Sequence, residues 1–181
     1  MKDSETGLCG AVALGGDGPI KKNTKLENVD TIPLDYEIGL DITPNDKLKK
    51  RYTNIVHFTA TGNNHGSYGD RIPGVWFAPN SRKLYVVDGH TADFNSDSIT
   101  GGWKCHDKLL TLQPNKKYRL RMVFKPKTLS VYVNGRAACT NVPRAGRKVF
   151  KNVQVYVGDP WSNPANAEVA NLYLKINTPG A

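Results

Sequence analysis

The sequence predicts an all-β protein, an antiparallel two-sheet sandwich, from three observations. Apolar and polar residues alternate with a period of two over several short segments, as in Tyr118–Phe124, where Tyr118, Leu120, Met122 and Phe124 share one face. Nowhere does a helical period of 3.6 residues persist for three turns. Turn dipeptides containing Gly, Pro or Asn separate the alternating segments. Short, half-buried strands between turns favour an antiparallel sandwich or barrel over parallel βαβ units.

Each predicted strand follows from its own alternating or apolar run. We expect strands at residues 35–42, 54–60, 75–77, 84–87, 118–124, 129–133, 153–157 and 172–176. Asn134 and Gly135 follow the strand at 129–133 and stand between alternating segments, and both residue types tolerate a positive φ, so the pair predicts a tight hairpin turn. A chain of 181 residues is expected to form one sandwich domain at residues 31–181, with residues 1–30 as a loose or edge-packed N-terminal segment.

The order of the strands resembles the concanavalin A-like jelly roll of the laminin G and animal lectin type. The resemblance covers residues 30–177 and rests on stretches such as YTNIVHFTATG, YGDRIPGVWFAP and KLYVVDG. Its most specific features are a strand ending in VYVNG and a short final strand, NLYLKI. The superfamily includes proteins that bind sugars, sulfated glycans or other proteins, and also hydrolases and lyases. The resemblance therefore implies a fold and leaves the function open.

Positive charge is concentrated in one part of the chain. The net charge is +9, but residues 104–151 contain thirteen Lys and Arg and one acid, a balance of +12, so the other 133 residues sum to −3. Crowded like charges raise the electrostatic energy of the compact state, and a polyanionic partner would offset this cost. A solvated basic face without a ligand is the alternative. The candidate polyanion-binding residues are Lys116, Lys117, Arg119, Arg121, Arg144, Arg147 and Lys148.

Part of this basic set has a predicted geometry. Lys117, Arg119 and Arg121 alternate along one strand and should lie on one face at intervals of ~6.7 Å, a ladder that could follow sulfates or phosphates. Arginine offers bidentate donors for such oxyanions.

Aromatic residues offer a competing binding site. Trp76 alternates with Val75 and Phe77, so it points outward if those two lie in the core. A tryptophan ring can stack on the C–H face of a sugar, although packing in the core or in a loop is the commoner use. The candidate sugar-binding residues, most of them polar groups in loops, are Asn63, Asn64, Asp70, Arg71, Trp76, Asp88 and Trp161.

A calcium site is considered because many members of the resembling families hold calcium at a loop edge. Asp93, Asn95 and Asp97 place oxygen ligands at alternate positions, like the opening of an EF-hand loop. Ser98 and Lys104 stand where that loop needs its Gly and its closing Glu, so this is not an EF-hand. Asx turns explain the same residues without a metal.

Three cysteines leave one thiol unpaired if a disulfide forms. Cys105 and Cys139 lie 34 residues apart and could pair, which would leave Cys9 free or joined to another chain. Three reduced thiols in a cytosolic protein are the alternative.

Catalysis is not favoured by the sequence. Glu37 and Asp41 are the nearest approach to a glycosidase pair, but their positions along a strand lie ~13 Å apart, beyond the ~5 Å and ~9 Å separations of retaining and inverting enzymes. The best explanation of both is a solvent-facing strand surface. The four histidines are scattered and form no triad spacing with a nucleophile.

The sequence therefore favours a non-enzymatic, extracellular, lectin-like module that binds acidic or sulfated glycans. A structural or adhesive module that binds matrix proteins is the alternative, and a polysaccharide hydrolase or lyase is the least favoured. Nucleic acid is disfavoured because no recognition helix is predicted. No run approaches the ~20 apolar residues of a membrane span. Charged residues precede the apolar residues 8–14 and no cleavage site follows, so no signal peptide is expected there.

Overall fold

The computed structural model describes residues 10–89, 99–102, 104–144 and 148–177, and within these residues the chain forms two antiparallel sheets packed face to face. The elements, in chain order, are β1 (Ala11–Ala13), β2 (Gly18–Pro19), β3 (Val29–Ile32), β4 (Tyr36–Pro44), β5 (Thr53–Thr59), β6 (Gly74–Phe77), β7 (Leu84–Val87), α1 (Ile99–Gly102), α2 (Asp107–Leu110), β8 (Tyr118–Phe124), β9 (Thr128–Val133), β10 (Arg136–Pro143), β11 (Phe150–Val157), β12 (Asn163–Pro164) and β13 (Ala167–Ile176). This architecture confirms the predicted all-β sandwich.

The two sheets differ in the number and the order of their strands. The seven-stranded sheet has the order β1-β13-β4-β8-β9-β10, with β2 also paired to β13. The six-stranded sheet has the order β3-β11-β5-β6-β7, and β12 adds to it by parallel pairing with β5. The boundary at residue 30 that the sequence suggested falls inside β3. Residues before it supply β1 and β2, at one edge of the seven-stranded sheet.

The core lies between the inner faces of the sheets and follows the period-two pattern. On β4, Tyr36, Ile38, Leu40 and Ile42 point inward and are buried. Tyr36 stacks on Phe124 of β8, with ring centroids 4.3 Å apart and an interplanar angle of 7°. Asn134 and Gly135 form the two-residue turn between β9 and β10, both with positive φ (50° and 78°). The hairpin prediction is confirmed, and it sets the register of these two strands.

Cys105 and Cys139 form a disulfide, which joins the segment before α2 to β10. This pairing confirms the first of the two cysteine interpretations and is typical of proteins that fold in an oxidising environment. Cys9 lies outside the described residues. None of the helices in the described part of the chain is long and apolar enough to cross a bilayer.

Candidate functional site

A cleft of about 430 Å³ opens on the outer face of the six-stranded sheet. Its base comes from the outward-facing residues of β6 and β7, and its sides come from the loop between β5 and β6 and from the segment before β12. The lining residues are Tyr52, Asn64, His65, Gly66, Ser67, Asp70, Arg71, Trp76, Tyr85, Val87, Gly89 and Ser162. The concave shape and the mixture of aromatic and polar side chains are those of a small-ligand site.

Trp76 forms the base of the cleft and lies across a glycine. Val75 and Phe77 belong to the core, and Trp76 points to the outer face, as the alternation predicts. A Cβ atom on Gly74 would overlap the Trp76 ring, so this position requires glycine. The indole Nε1–H donates to Ser162 Oγ at 3.2 Å. The guanidinium of Arg71 covers the ring, with its carbon 4.4 Å from the ring centroid. Trp76 is only 3% exposed as a result.

Asp70 and Asn64 give the loop between β5 and β6 its shape. The buried Asp70 carboxylate accepts a hydrogen bond from the Ser67 backbone N–H at 2.7 Å and another from the Thr61 hydroxyl. Asn64 accepts two bonds from Arg71, at its backbone oxygen (3.0 Å) and at Oδ1 (3.3 Å). The loop therefore holds Arg71 over Trp76. Asp70 acts here as a structural carboxylate, since a buried charge needs such partners.

Two aromatic side chains on this face are exposed to solvent, and a third, Tyr85, is half-buried. Tyr52 is 46% exposed and packs against Tyr85, with ring centroids 4.8 Å apart. Tyr85 lies opposite Trp76 in the pairing of β6 with β7. Trp161 is 38% exposed and lies in the turn before β12, next to the cleft-lining Ser162. Exposed aromatic rings beside fixed polar groups suit a ligand that has both apolar and hydrogen-bonding faces.

A fully buried ion pair lies beneath these rings. His57 Nδ1 contacts Asp159 Oδ2 at 2.9 Å, and Nε2 contacts the carbonyl oxygen of Asp70 at 2.8 Å. Both ring nitrogens face oxygen atoms, so the His57 ring links the Asp159 carboxylate to the backbone of Asp70. Asp159 also accepts the backbone N–H groups of Trp161 (3.2 Å) and Ser162 (2.7 Å). The pair thus connects both sides of the cleft.

The same contacts determine the ionisation of Asp159. Burial alone would raise the pKa of this carboxyl group, but the hydrogen bonds from His57 and Ser162 outweigh burial and hold the pKa below its usual value of 3.8. Asp159 is therefore charged at neutral pH and keeps its contacts with His57 and Ser162.

The structure brings together four of the seven candidate sugar-binding residues: Asn64, Asp70, Arg71 and Trp76 line the cleft. Asn63 is exposed and Trp161 lies near the cleft, but neither is among the lining residues. Asp88 is buried in an ion pair with Arg144. Sequence reasoning missed Tyr52, Tyr85 and Ser162; Tyr85 alternates with the core residues Leu84 and Val86, so that pattern could have identified it.

The candidate polyanion residues are divided among several places. Lys117, Arg119 and Arg121 follow the outer face of the seven-stranded sheet, but Lys116 lies over the Tyr118 ring and Lys148 over Tyr68 and Phe150. The Arg144 side chain is 1% exposed, pairs with Asp88 and lies over Phe124, so neither Arg144 nor Asp88 is offered to a ligand. Arg147 lies outside the described residues.

The expectation of solvent-facing carboxylates at Glu37 and Asp41 is wrong. Both lie on the outer face of β4 but are only 5% and 6% exposed. Arg121 and Arg119 of the neighbouring β8 pair with them, at 3.0 Å and 2.8 Å. Acids therefore do accompany the basic row, contributed by a distant part of the sequence.

The candidate calcium ligands Asp93, Asn95 and Asp97 lie outside the described residues. Within the described ranges, no group of three or more His, Cys, Asp or Glu side chains is placed to hold a metal ion. Asp70 and Asp88, two acids in other loops, bond to Thr61 and Arg144.

Comparison with known proteins shows the fold alone. No family model and no curated protein matches the sequence. Domain 4 of AbnA, a GH43 extracellular arabinanase from Geobacillus stearothermophilus, solved in complex with arabinotriose, is 16% identical over 92% of this chain and 70% of that chain, with a TM-score of 0.53. A SAP-like pentraxin from Limulus polyphemus is 10% identical over 90% of this chain and 78% of that chain, with a TM-score of 0.53.

Trypanosoma rangeli sialidase is also similar in structure. It is 14% identical over 92% of this chain, with a TM-score of 0.55, and the chain covers 30% of that protein. These likenesses support the two-sheet β-sandwich fold.

Proposed function

We propose that this protein is a non-enzymatic carbohydrate-binding module whose ligand occupies the cleft on the six-stranded sheet. The observation that carries the proposal is the convergence of aromatic and polar side chains there: Trp76 and Arg71 form a stacked base, and Tyr52 and Tyr85 present rings beside it. Sugars carry both C–H faces and hydroxyl groups, so a site for them needs this combination of groups.

The cleft is built before any ligand arrives. Arg71 is held by Asn64 and Trp76, Ser162 is held by Asp159 and Trp76, and the loop is held by Asp70. Fixed side chains lose little conformational entropy on binding, which favours affinity for a weakly binding ligand such as a sugar. The exposed ring of Tyr52 is the surface best placed to stack on a pyranose or furanose ring.

The chemistry of the cleft favours binding over hydrolysis. A typical glycosidase needs two carboxyl groups on opposite sides of the scissile bond. Asp70 is the carboxylate that lines the cleft in the described part of the chain, and it is occupied by hydrogen bonds from Ser67 and Thr61. The similar arabinanase domain was solved with a bound arabinotriose, which is consistent with a sugar ligand for this fold.

We further propose that the protein prefers acidic or sulfated glycans and acts outside the cell. The net charge of +9 and the basic residues 104–151 support a preference for acidic or sulfated glycans through a basic face. The disulfide between Cys105 and Cys139 supports an extracellular location.

The test is binding to an array of neutral and acidic glycans, followed by titration calorimetry with the best neutral ligand. Tyr52→Ala and Tyr85→Ala should each weaken that binding about tenfold, because each removes a ring that stacks on the sugar. Ile176→Ala is the matched control: it shortens another exposed apolar side chain, on the seven-stranded sheet, and should bind as the unmodified protein does.

Binding to the neutral ligand should persist in 1 M NaCl, since stacking is not screened by salt as charge pairs are. Tyr52→Ala and Tyr85→Ala proteins that bind as tightly as the unmodified protein would exclude the cleft. A matrix protein that binds where no glycan does would favour the adhesive alternative.

A further inference from the structure

The outer face of the seven-stranded sheet carries two carboxylates beneath two arginines. Arg119 Nε donates to Asp41 Oδ1 at 2.8 Å, and Arg121 Nε lies 3.0 Å from Glu37 Oε1. The carboxylate side chains are each 7% exposed, whereas the arginine side chains are 49% and 43% exposed. The two carboxylates are therefore buried against the outer face of the sheet, and the guanidinium groups of Arg119 and Arg121 lie over them.

Tyr173 and Gly39 explain how the acids are kept below the surface. The Tyr173 ring lies across Gly39, where any Cβ atom would overlap it, and the tyrosine hydroxyl donates to Glu37 Oε2 at 2.5 Å. Asn171 Nδ2 donates to Asp41 Oδ2 at 2.8 Å. Each carboxylate therefore has a second partner from β13, opposite its arginine on β8, and this support limits its motion.

The Asp41 carboxylate stays charged at neutral pH. Burial alone would raise the pKa of Asp41, but the hydrogen bonds from Asn171 and Arg119 and the nearby charge of Lys117 lower it. A charged Asp41 orients the Arg119 fork continuously at neutral pH.

The arginines keep donors for a further partner. In the described part of the chain, Nη1 of Arg119 and both Nη groups of Arg121 donate to no protein group. Arg121 also lies over the Tyr132 ring of β9, with 4.9 Å from its guanidinium carbon to the ring centroid. Two half-exposed guanidinium groups are thus held in fixed orientations, and Lys117 extends the row at the start of β8. The alternate positions lie ~6.7 Å apart.

We propose that this face is a second binding surface, which recognises sulfate groups of an extended glycan through Arg119, Arg121 and Lys117, and that Glu37 and Asp41 are positioning residues for the two arginines. The proposal shares the carbohydrate class of ligand with the proposed function but uses the opposite sheet. Oriented guanidinium forks favour sulfate oxygens, which accept two parallel hydrogen bonds.

A sulfated glycan fits this face better than a nucleic acid does. The face is formed by the strands of a sheet, and the two helices in the described part of the chain are only four residues long, too short to serve as a recognition helix in a groove. On this face the Tyr132 ring lies under Arg121 and the Tyr173 ring is buried, so neither offers a base an open stacking platform.

The test uses a double variant for which net charge and side-chain positioning predict opposite changes in heparin affinity. Glu37→Gln with Asp41→Asn makes the protein more positive by two charges, so attraction by charge alone predicts tighter binding of a heparin octasaccharide. Loss of positioning predicts weaker binding, by about tenfold, the effect of loosening a charge-assisted hydrogen bond. Glu27→Gln with Asp30→Asn is the matched control, because it makes the same charge change at exposed positions away from this face.

Heparin affinity is measured by surface plasmon resonance at physiological salt, and thermal melting verifies that each variant is folded. The expected result is a loss for the Glu37/Asp41 variant and equal or slightly tighter binding for the control. Equal or tighter binding by the Glu37/Asp41 variant would overturn the positioning role.

If that variant does not fold, Arg119→Lys with Arg121→Lys gives an independent readout. It retains both charges but removes the forks, so heparin binding should again weaken about tenfold. Unchanged binding would overturn the proposal, as would equal affinity for desulfated heparin or for a DNA duplex of the same length.

These outcomes are separable from the proposed function of the cleft. Neutral-glycan binding that depends on Tyr52 should be unaffected by the Glu37/Asp41 variant. A cleft that binds no glycan, together with the expected heparin response, would reject the proposed function and leave the second surface in place.

Discussion

The outer faces of the two sheets share one structural device and differ in what they present. On the six-stranded sheet, Trp76 lies across Gly74, and on the seven-stranded sheet, Tyr173 lies across Gly39. In both cases a glycine in a central strand makes room for a large ring against the backbone. The Trp76 ring forms the base of a cleft whose sides are loops. The Tyr173 ring holds the Glu37 carboxylate beneath the exposed arginines of β8.

The difference shows how burial determines the use of an ion pair. His57 and Asp159 are both 0% exposed, so their pairing contributes to the framework beneath the cleft. Arg119 and Arg121 pair with buried acids on one side and meet solvent on the other, so their charge remains available to a ligand. The same kind of interaction is structural on one face and suited to binding on the other.

The largest expected effect tests this contrast directly. His57→Leu leaves the buried Asp159 without its ionic partner and should lower the free energy of unfolding by about 3–5 kcal/mol. Arg119→Leu leaves Asp41 open to water and should cost at most about 1 kcal/mol. Urea unfolding of both variants measures the two values. Equal losses would mean that the two faces do not differ in the way described.

Alanine at the two glycines should separate the faces by function. Each added Cβ overlaps a ring, which typically costs about 1–3 kcal/mol. Gly74→Ala should weaken binding of a neutral glycan at the cleft and spare heparin binding, and Gly39→Ala should do the reverse. Titration calorimetry of both variants with a neutral glycan and with heparin measures these opposite changes in affinity. A further change of Tyr173→Ala should recover part of the stability lost in Gly39→Ala, since coupled residues are not additive.

The smallest expected effect is on acid stability. The pKa values of Asp41 and Asp159 are lower in the folded protein than the usual 3.8, so each group stabilises the fold above pH ~4 and loses that contribution as the pH falls through its folded value. Asp41→Asn and Asp159→Asn should each reduce the slope of unfolding free energy against pH below pH ~4. The reduction corresponds to at most about one proton fewer taken up on unfolding.

Salt distinguishes the two faces in the same titration. Added NaCl should reduce the contribution of the half-exposed Asp41 pair and leave that of the fully buried Asp159 pair nearly unchanged. If salt changed the contributions of Asp41 and Asp159 to the unfolding free energy equally, the difference in burial would not be what distinguishes the two pairs.

Local sequence patterns predicted much of the fold because their causes are local. Alternation identified the inner faces of β4 and β8, and Asn134-Gly135 identified the turn between β9 and β10. The outward direction of Trp76 followed from its neighbours in the same strand. These features depend on the strand period and on residues that tolerate a positive φ, so no distant contact is needed to infer them.

The candidate sites were predicted only in part, because their partners are distant in sequence. The pairs Asp41–Arg119 and Asp88–Arg144 join residues 78 and 56 positions apart, and His57–Asp159 joins residues 102 apart. Nothing near Arg144 in the sequence indicates that it is buried. Residues 104–151 contain a single acid in the sequence, but β4 supplies Glu37 and Asp41 beside β8, so the acids next to the basic row could not be found from that window alone.

The sequence by itself determined the strand period, the main hairpin, the inner faces of the strands and the net positive charge, since each depends on residue type and local order. Only the tertiary structure decided which charges are neutralised, which aromatic rings are covered and where a cleft opens. Those properties depend on strands that become neighbours after long connections, and their energies depend on burial, which no local pattern specifies.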